Sequence, residues 1–295
     1  MDHRKGGADA AAPAKKGMRI IVVGGMNLDL LGMPTQRLLP GDSTPGKIVM
    51  RPGGVGRNIA ARLRALGAQV SLVTALGADE KRALLEADCR ARGIDLSMAV
   101  ETALPTPSYL CVHDETGDMV AGVNDMSAMA CVTPEALEKR LRFDGADGCV
   151  LDANLPEETL AYLTRATRLP ILLDPVSCAK APRVTPLLPL LAAVKPNWLE
   201  AKYMTGEETP EAAAQALHAQ GAKRVFISMG AKGVYYLDDT LRGIAPAKAL
   251  PHTPLTGAGD ACCAGLTMAL LRGEDARACA EAGCRAAYDA LMREG

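Results

Sequence analysis

The segment Thr256-Gly257-Ala258-Gly259-Asp260 runs straight into an apolar, helix-compatible stretch at residues 261–271. Small residues let successive backbone N–H groups converge at a helix N-terminus, where the helix dipole also favours negative charge. Gly257, Ala258 and Gly259 therefore read as an anion cradle, with Thr256 at its entrance and the Asp260 carboxylate on its rim. Beside a transferring phosphoryl group, such a carboxylate can accept the proton of an attacking hydroxyl. A lone G-x-G-D is also what a glycine-rich loop with a capping Asp looks like, so the rest of the chain has to decide.

Three further constellations bear on that choice. Gly53-Gly54-Val55-Gly56-Arg57-Asn58 precedes a helical run; Gly54 permits close approach of a ligand to backbone, and Asn58 offers a donor and an acceptor to sugar hydroxyls. Together with Asn27 and Asp29 after the first apolar run, Asn58 makes a set able to grip a vicinal diol. In Lys195-Pro196-Asn197-Trp198-Leu199-Glu200, Asn197 and Glu200 share one helix face, a spacing suited to the water shell of Mg²⁺. The same pair fits a capping box, and the two readings stand level. Ser228, Gly230 and Gly233 end another apolar run and suit close contact with nucleotide phosphates, or an ordinary hairpin turn. Two near-motifs are rejected or demoted. Gly41 to Ile48 almost spells a P-loop, but Ile48 cannot ligate Mg²⁺ and the segment leads into a strand pattern. Residues 257–262 begin like a dinucleotide fingerprint, but Cys262 replaces its last glycine, which leaves hydride transfer the weakest alternative.

The elements that must position these residues alternate. Short β-rich runs (19–23, 70–75, 148–151, 171–174, 193–195, 224–228) are interleaved with helical patterns (59–66, 81–92, 157–167, 185–191, 210–220). This is the pattern of a parallel sheet covered by helices on both faces, which binds ligands beyond the carboxyl ends of its strands. Residues 31–52 and 104–124 break the rhythm with two-residue alternation and are expected to form a small β-sheet lid that excludes water. Residues 1–17 lack apolar periodicity and are expected to be a disordered leader, with the folded unit at 18–295. A chain of 295 residues, 48% hydrophobic and with net charge −1, shows no electrostatic footprint for nucleic acid and no apolar run for a membrane. Its nine cysteines show no C-x-x-C pair, as expected of reduced core residues in a cytoplasmic protein.

The order of these pieces resembles the ribokinase-like, PfkB-type sugar and nucleoside kinases: Gly-Gly and Asn at an early helix start, Asn-x-x-Glu past the middle, Gly-Ala-Gly-Asp near the end. The resemblance covers essentially everything after the leader. It implies a three-layer αβα sandwich with a mostly parallel central sheet and a β-sheet lid, Asp260 as base, and the amides of 257–259 as anion hole. It also implies Mg²⁺ organised by Asn197 and Glu200, and ATP at Lys195, Asn197, Ser228, Gly230, Gly233 and Thr256. Residues 42–48, 52–60, 123–126, 174–177 and 256–261 look most like the branch that phosphorylates the C-nucleoside pseudouridine on its 5′-hydroxyl. Polar lid residues Ser43, Thr44, Lys47, Ser108 and Asn124 are then the candidates for reading the base, beside Asn27, Asp29, Gly54 and Asn58 at the ribose. The alternatives are a kinase for ribose or another nucleoside, and a non-catalytic nucleoside sensor. K⁺ enters only as a candidate activator, because Pro254-Leu255 replaces the Asp-Thr pair that the family associates with that cation. Members usually run a little further past the last helical pattern than Gly295. An edge of the lid sheet is the expected contact of a homodimer, since unpaired strand edges seek partners.

Overall fold

The computed structural model describes residues 17–39, 41–249 and 257–294. Nearly all of the expected leader, and the segment holding Pro254, Leu255 and Thr256, lie outside the described residues. In chain order the strands and α-helices are β1 (Arg19–Val23), β2 (Asn27–Pro34), β3 (Gly46–Gly53), α1 (Val55–Ala65), β4 (Gln69–Val73), β5 (Ala75–Leu76), α2 (Lys81–Ala91), β6 (Ile94–Asp95), β7 (Val100–Glu101), β8 (Ser108–His113) and β9 (Met119–Asp125). They continue with α3 (Pro134–Arg140), β10 (Gly148–Asp152), α4 (Glu157–Ala166), β11 (Ile171–Asp174), β12 (Ala193–Val194), α5 (Trp198–Thr205), α6 (Pro210–Ala219), β13 (Val225–Ser228), β14 (Val234–Leu237), β15 (Arg242–Ala245), α7 (Ala258–Leu271) and α8 (Ala276–Glu294).

Among the described residues, nine strands form the central sheet in the order β15-β14-β13-β12-β11-β10-β1-β4-β6. From β13 to β6 every pairing is parallel, and β14 and β15 add an antiparallel hairpin at one edge. The strands read as continuous apolar runs because both faces are covered. Along β1, Ile20 and Val22 enter one core, with α1, α7 and α8, while Ile21 and Val23 enter the other, with α3, α4 and α6. Residues 185–191, read as a helix from their periodicity, form a 3-10 turn at Thr185–Leu190, where Pro189 removes a backbone donor.

A second sheet, β3-β2-β8-β9, forms the lid; β8 runs parallel to β2 and the outer pairs are antiparallel. It begins earlier than residue 31. Asn27 and Asp29, expected in a loop after β1, stand on β2, because the Asn-Leu-Asp-Leu-Leu alternation starts there. Cross-strand partners share a face, so the register sorts the lid's two sides. Arg51, Asp29, Tyr109 and Asn124 make one row across the four strands. Met50, Leu30, Leu110 and Val123 make the next row, on the opposite face. The lid thus has a polar side and an apolar side. At its base the apolar side is buried: Leu28 packs in the core that also holds Met26, Ile59 and Cys89.

Candidate active site

The carboxyl ends of the parallel strands meet at one edge: Asp152 of β10 stands beside Asp174 of β11, and Asn197 bridges to Ser228 at the end of β13. α7 begins over the same edge. Gly257 is its N-cap with φ 93° and ψ −7°, a left-handed conformation that glycine adopts without a steric penalty. Ala258 and Gly259 open the first turn, so the cradle expected at residues 257–259 is a true helix N-terminus, and Asp260 lies in that first turn.

Asp260 is part-buried and accepts a hydrogen bond from Asn58 Nδ2 at 2.9 Å. Removal from water, then the charges of Asp174 and Asp152, push its carboxyl up to about 7, against the Asn58 hydrogen bond and the Lys195 ammonium. A carboxyl so placed can take and release a proton near neutrality. Lys195 comes from the residue after β12, buried at 3% exposure, and its Nζ lies 3.0 Å from Asp174 Oδ2. Burial alone lowers a lysine pKa, but Asp174 beside it more than offsets this and holds Lys195 charged. Its Nζ is also 3.9 Å from where a Cβ on Gly259 would stand, which sets a cation at the mouth of the anion cradle. The other Asp174 oxygen accepts from the Val176 N–H at 2.8 Å, across a turn that places Val176 at φ 70°. That backbone region is costly for a β-branched residue, and the hydrogen bond to Asp174 helps hold it.

Asn197 and Glu200 form the capping box of α5: Glu200 Oε2 accepts from the Asn197 N–H at 2.8 Å, and Asn197 Oδ1 accepts from the Glu200 N–H at 2.9 Å. The cap does not exhaust them. Glu200 is 3% exposed, and burial followed by the charge of Asp174 raises its pKa. Among the described residues no three His, Cys, Asp or Glu side chains are clustered so as to ligate a metal directly. The donor set therefore fits a cation that keeps its water shell, with Glu200, Asn197 and Asp174 as outer partners, and does not fit a stripped ion. Ser228 faces the same edge. Gly230, at φ 59°, opens to free space, whereas Gly233 is buried in the β13–β14 turn against Ala245 O. That turn realises the hairpin reading of this segment, with Gly230 left as its accessible glycine.

On the lid side, Asn27 Nδ2 donates to Asp29 Oδ1 at 2.6 Å. Burial raises the Asp29 pKa, while Asn27, Arg51 and Arg57 work against it. Gly54 is the N-cap of α1 at φ 95°, and a Cβ there would meet Gly25 O at 2.5 Å. Its role is thus close packing of α1 against the loop after β1. Asn58 Oδ1 accepts from Arg57 Nη1 at 2.9 Å while its Nδ2 donates to Asp260, which leaves one acceptor lone pair and one N–H for a sugar hydroxyl. Asn124 stands in the polar row beside Tyr109. Ser108 is placed on the other face, where its hydroxyl accepts from Lys81 Nζ at 2.9 Å and donates to Thr106 O. Ser43 and Thr44 lie in the turn between β2 and β3, where Thr44 Oγ1 accepts from the Leu39 N–H. Lys47, opposite Met33, is exposed and four residues along the ladder from Asp29, roughly 13 Å at the usual strand rise. These three thus stand further out along the lid than the ribose-side pair Asn27 and Asp29. Sequence reading also missed residues that the structure supplies: Arg51 and Tyr109 flanking Asp29, and Arg57 with Asp88 behind Asn58. Two-residue alternation counted from Asp29 could have found Arg51 and Tyr109.

Residues 18–295 match the pfkB family of carbohydrate kinases. The chain belongs to that family. It is 37% identical over 258 residues to pseudouridine kinase of Escherichia coli, covering 84% of this chain and 82% of that protein. It is 27% identical to cytidine kinase of Thermococcus kodakarensis, over 94% of this chain and 97% of that protein. The crystal structure of ribokinase from Thermotoga maritima superposes with a TM-score of 0.83 at 25% identity, over 94% of both chains. The fold is ribokinase-like, and the protein is a phosphotransferase acting on an alcohol group.

The Lys195–Asp174 pair makes a stability prediction. Both side chains are almost fully buried, so Lys195→Met leaves an unpaired buried carboxylate and is expected to cost ~3–5 kcal/mol at neutral pH. Adding Asp174→Asn should recover much of that loss, as read from urea denaturation midpoints of the single and double variants.

Proposed function

We propose that this protein transfers the γ-phosphoryl group of ATP to the 5′-hydroxyl of pseudouridine, giving pseudouridine 5′-phosphate and ADP. The observation that carries the reading of the chemistry is Asp260: a carboxyl poised near neutrality, in the first turn of α7, with Lys195 at the mouth of the cradle. The hydroxyl attacks in line, Asp260 takes its proton, and the amides of 257–259 with Lys195 face the charge on the phosphoryl oxygens. Ser228 and Gly230 line the nucleotide side of the same edge. Asn197, Glu200 and Asp174 would hold Mg²⁺ through its water shell, and the ion would supply charge neutralisation for the phosphates. The similarity to the E. coli pseudouridine kinase supports the substrate. The polar row supports it too, because Arg51, Asp29, Tyr109 and Asn124 offer donors, acceptors and one aromatic ring to a base and its ribose. Kinases for cytidine and ribose among the relatives make another ribosyl substrate the second reading.

The lid's apolar face supports assembly with a second copy. Ile48, Met50, Leu110 and Val123 are 78%, 59%, 47% and 66% exposed on that face, an area that a monomer would leave in water. Wild type should sediment as a dimer and Met50→Asp with Val123→Asp as a monomer; monomeric wild type at micromolar concentration removes the dimer.

Asp260→Asn is expected to lower kcat by ~10²–10⁴-fold with little change in nucleoside binding. In the wild type, kcat/KM should fall as pH drops through about 7, where protonation removes the base, and level off above it. Undiminished turnover by Asp260→Asn would remove the mechanism. Coupled ADP release with pseudouridine, uridine, cytidine and ribose, side by side, tests the substrate. The highest kcat/KM belongs to pseudouridine on this reading, and a preference for any of the others overturns it.

A further inference from the structure

Asn58 holds the base, but something has to hold Asn58. A carboxamide has two orientations nearly identical in shape, and only its partners distinguish them. In one, Nδ2 donates to the Asp260 carboxylate and stabilises its charged form; in the other, Oδ1 faces that carboxylate, acceptor against acceptor. The choice is made by Arg57, the residue before it in the first turn of α1. Arg57 is 7% exposed, and its Nη1 donates to Asn58 Oδ1 at 2.9 Å. Its Nε donates to Asp88 Oδ2 at 2.9 Å, Nη2 pairs with the same carboxylate, and Nη1 also reaches Pro52 O at 3.4 Å at the end of lid strand β3. Asp88, on α2, is in turn held by Arg92 Nε at 3.0 Å. A rigid guanidinium so anchored presents only donors to Asn58, so Oδ1 must face Arg57 and Nδ2 must face Asp260.

We propose that Arg57, anchored by Asp88, is a positioning residue that fixes the Asn58 carboxamide so that its N–H always faces the catalytic Asp260. The proposal rests on the reading of Asp260 as base. It adds a line of contacts from α2 and the foot of the lid to the reacting edge, through two residues that need not touch substrate. Among the described residues, the other charged groups that face Asp260 are Asp174 from the end of β11, Asp152 from the end of β10 and Lys195 after β12, and the variants below leave all three in place.

The test is the pH dependence of kcat/KM. In Arg57→Met the carboxamide is free to turn, the carboxylate form loses its constant donor, and the midpoint of the acid limb should move up by roughly one pH unit. Near pH 6 that shift is a loss of about tenfold, and near pH 9 the rate should return towards wild type. Loss of the arginine's positive charge alone would also raise the midpoint, so the same substitution is made in an Asn58→Ala background. There the proposal expects only the smaller shift that the lost charge itself causes, and an equal shift in both backgrounds overturns it. An unchanged midpoint with activity lowered equally at every pH also overturns it, since that is the signature of a merely structural residue. Asp88→Asn, which keeps the shape and loosens the anchor, is measured alongside in case Arg57→Met does not fold; a smaller shift in the same direction is expected, and none overturns the proposal. Full turnover by Asp260→Asn would sink the base assignment instead, so the two failures are distinguishable.

Discussion

Several carboxylates are taken out of water along one sheet edge, and the rest of the structure depends on how their charges are managed. Asp152, Asp174 and Glu200 are almost fully buried, and Asp260 sits beside them. Asp174 raises the pKa of Asp152, Glu200 and Asp260, and Asp152 that of Asp260, so the group is stable only if donors and cations are aimed at it. Asp152 accepts from the N–H groups of Gly25 and Asn154; Asp174 accepts from Val176 N–H and pairs with Lys195; Glu200 closes its capping box. Asp260, like Glu200, accepts one hydrogen bond among the described residues, in its case from the Asn58 amide. Burial pushes Asp152 up to about 6 and Asp260 up to about 7. Of the four acids Asp260 alone is only part-buried, at the start of α7, where a proton can move on and off it.

The lid follows from a second constraint. A strand shows alternate residues to opposite sides, so one sheet can carry a polar row over the site and an apolar row away from it without conflict. Asp29 and Leu30 are neighbours in sequence and face opposite ways. The polar row keeps its own order as well: Asn27 donates to Asp29, and a Cβ on Gly122 would come within 2.8 Å of Tyr109 Oη, so the aromatic ring lies across the strand where a side chain would otherwise stand.

Much of this was legible in the chain. The parallel strands, the helices between them and the cradle at Gly257 follow from periodicity and from small residues at a helix start, both local properties. Asn197 and Glu200 were legible as a pair, and the structure realises their capping geometry. What stayed hidden depended on which residue faces which across long separations. Ser108 looked like a polar lid residue, yet one position of register turns its hydroxyl to Lys81. Ser43, Thr44 and Lys47 were legible as polar lid residues, but how far along the lid they stand from Asp29 depends on the hairpin register. Asn58 was legible as a donor and acceptor at a helix start, but its ties to Arg57, one residue away, and to Asp260, 202 residues away, were not. No spacing rule spans the second distance.

The contacts of Arg57 also bear on how lid and base are joined. Pro52 O, the acceptor at 3.4 Å, ends the lid strand that carries Arg51, and Asp88 belongs to α2, which packs against the core at Leu85 and Cys89. A shift of β3 relative to α2 would pull the guanidinium between two acceptors that it serves together with Asn58. The geometry of the base therefore depends on the lid's foot even where the lid touches no reacting atom, and its tie to Asp88 and the core keeps that dependence stiff. A lysine in the same place has three donors but on one nitrogen, and without a planar fork it cannot span α2, the lid and the amide together.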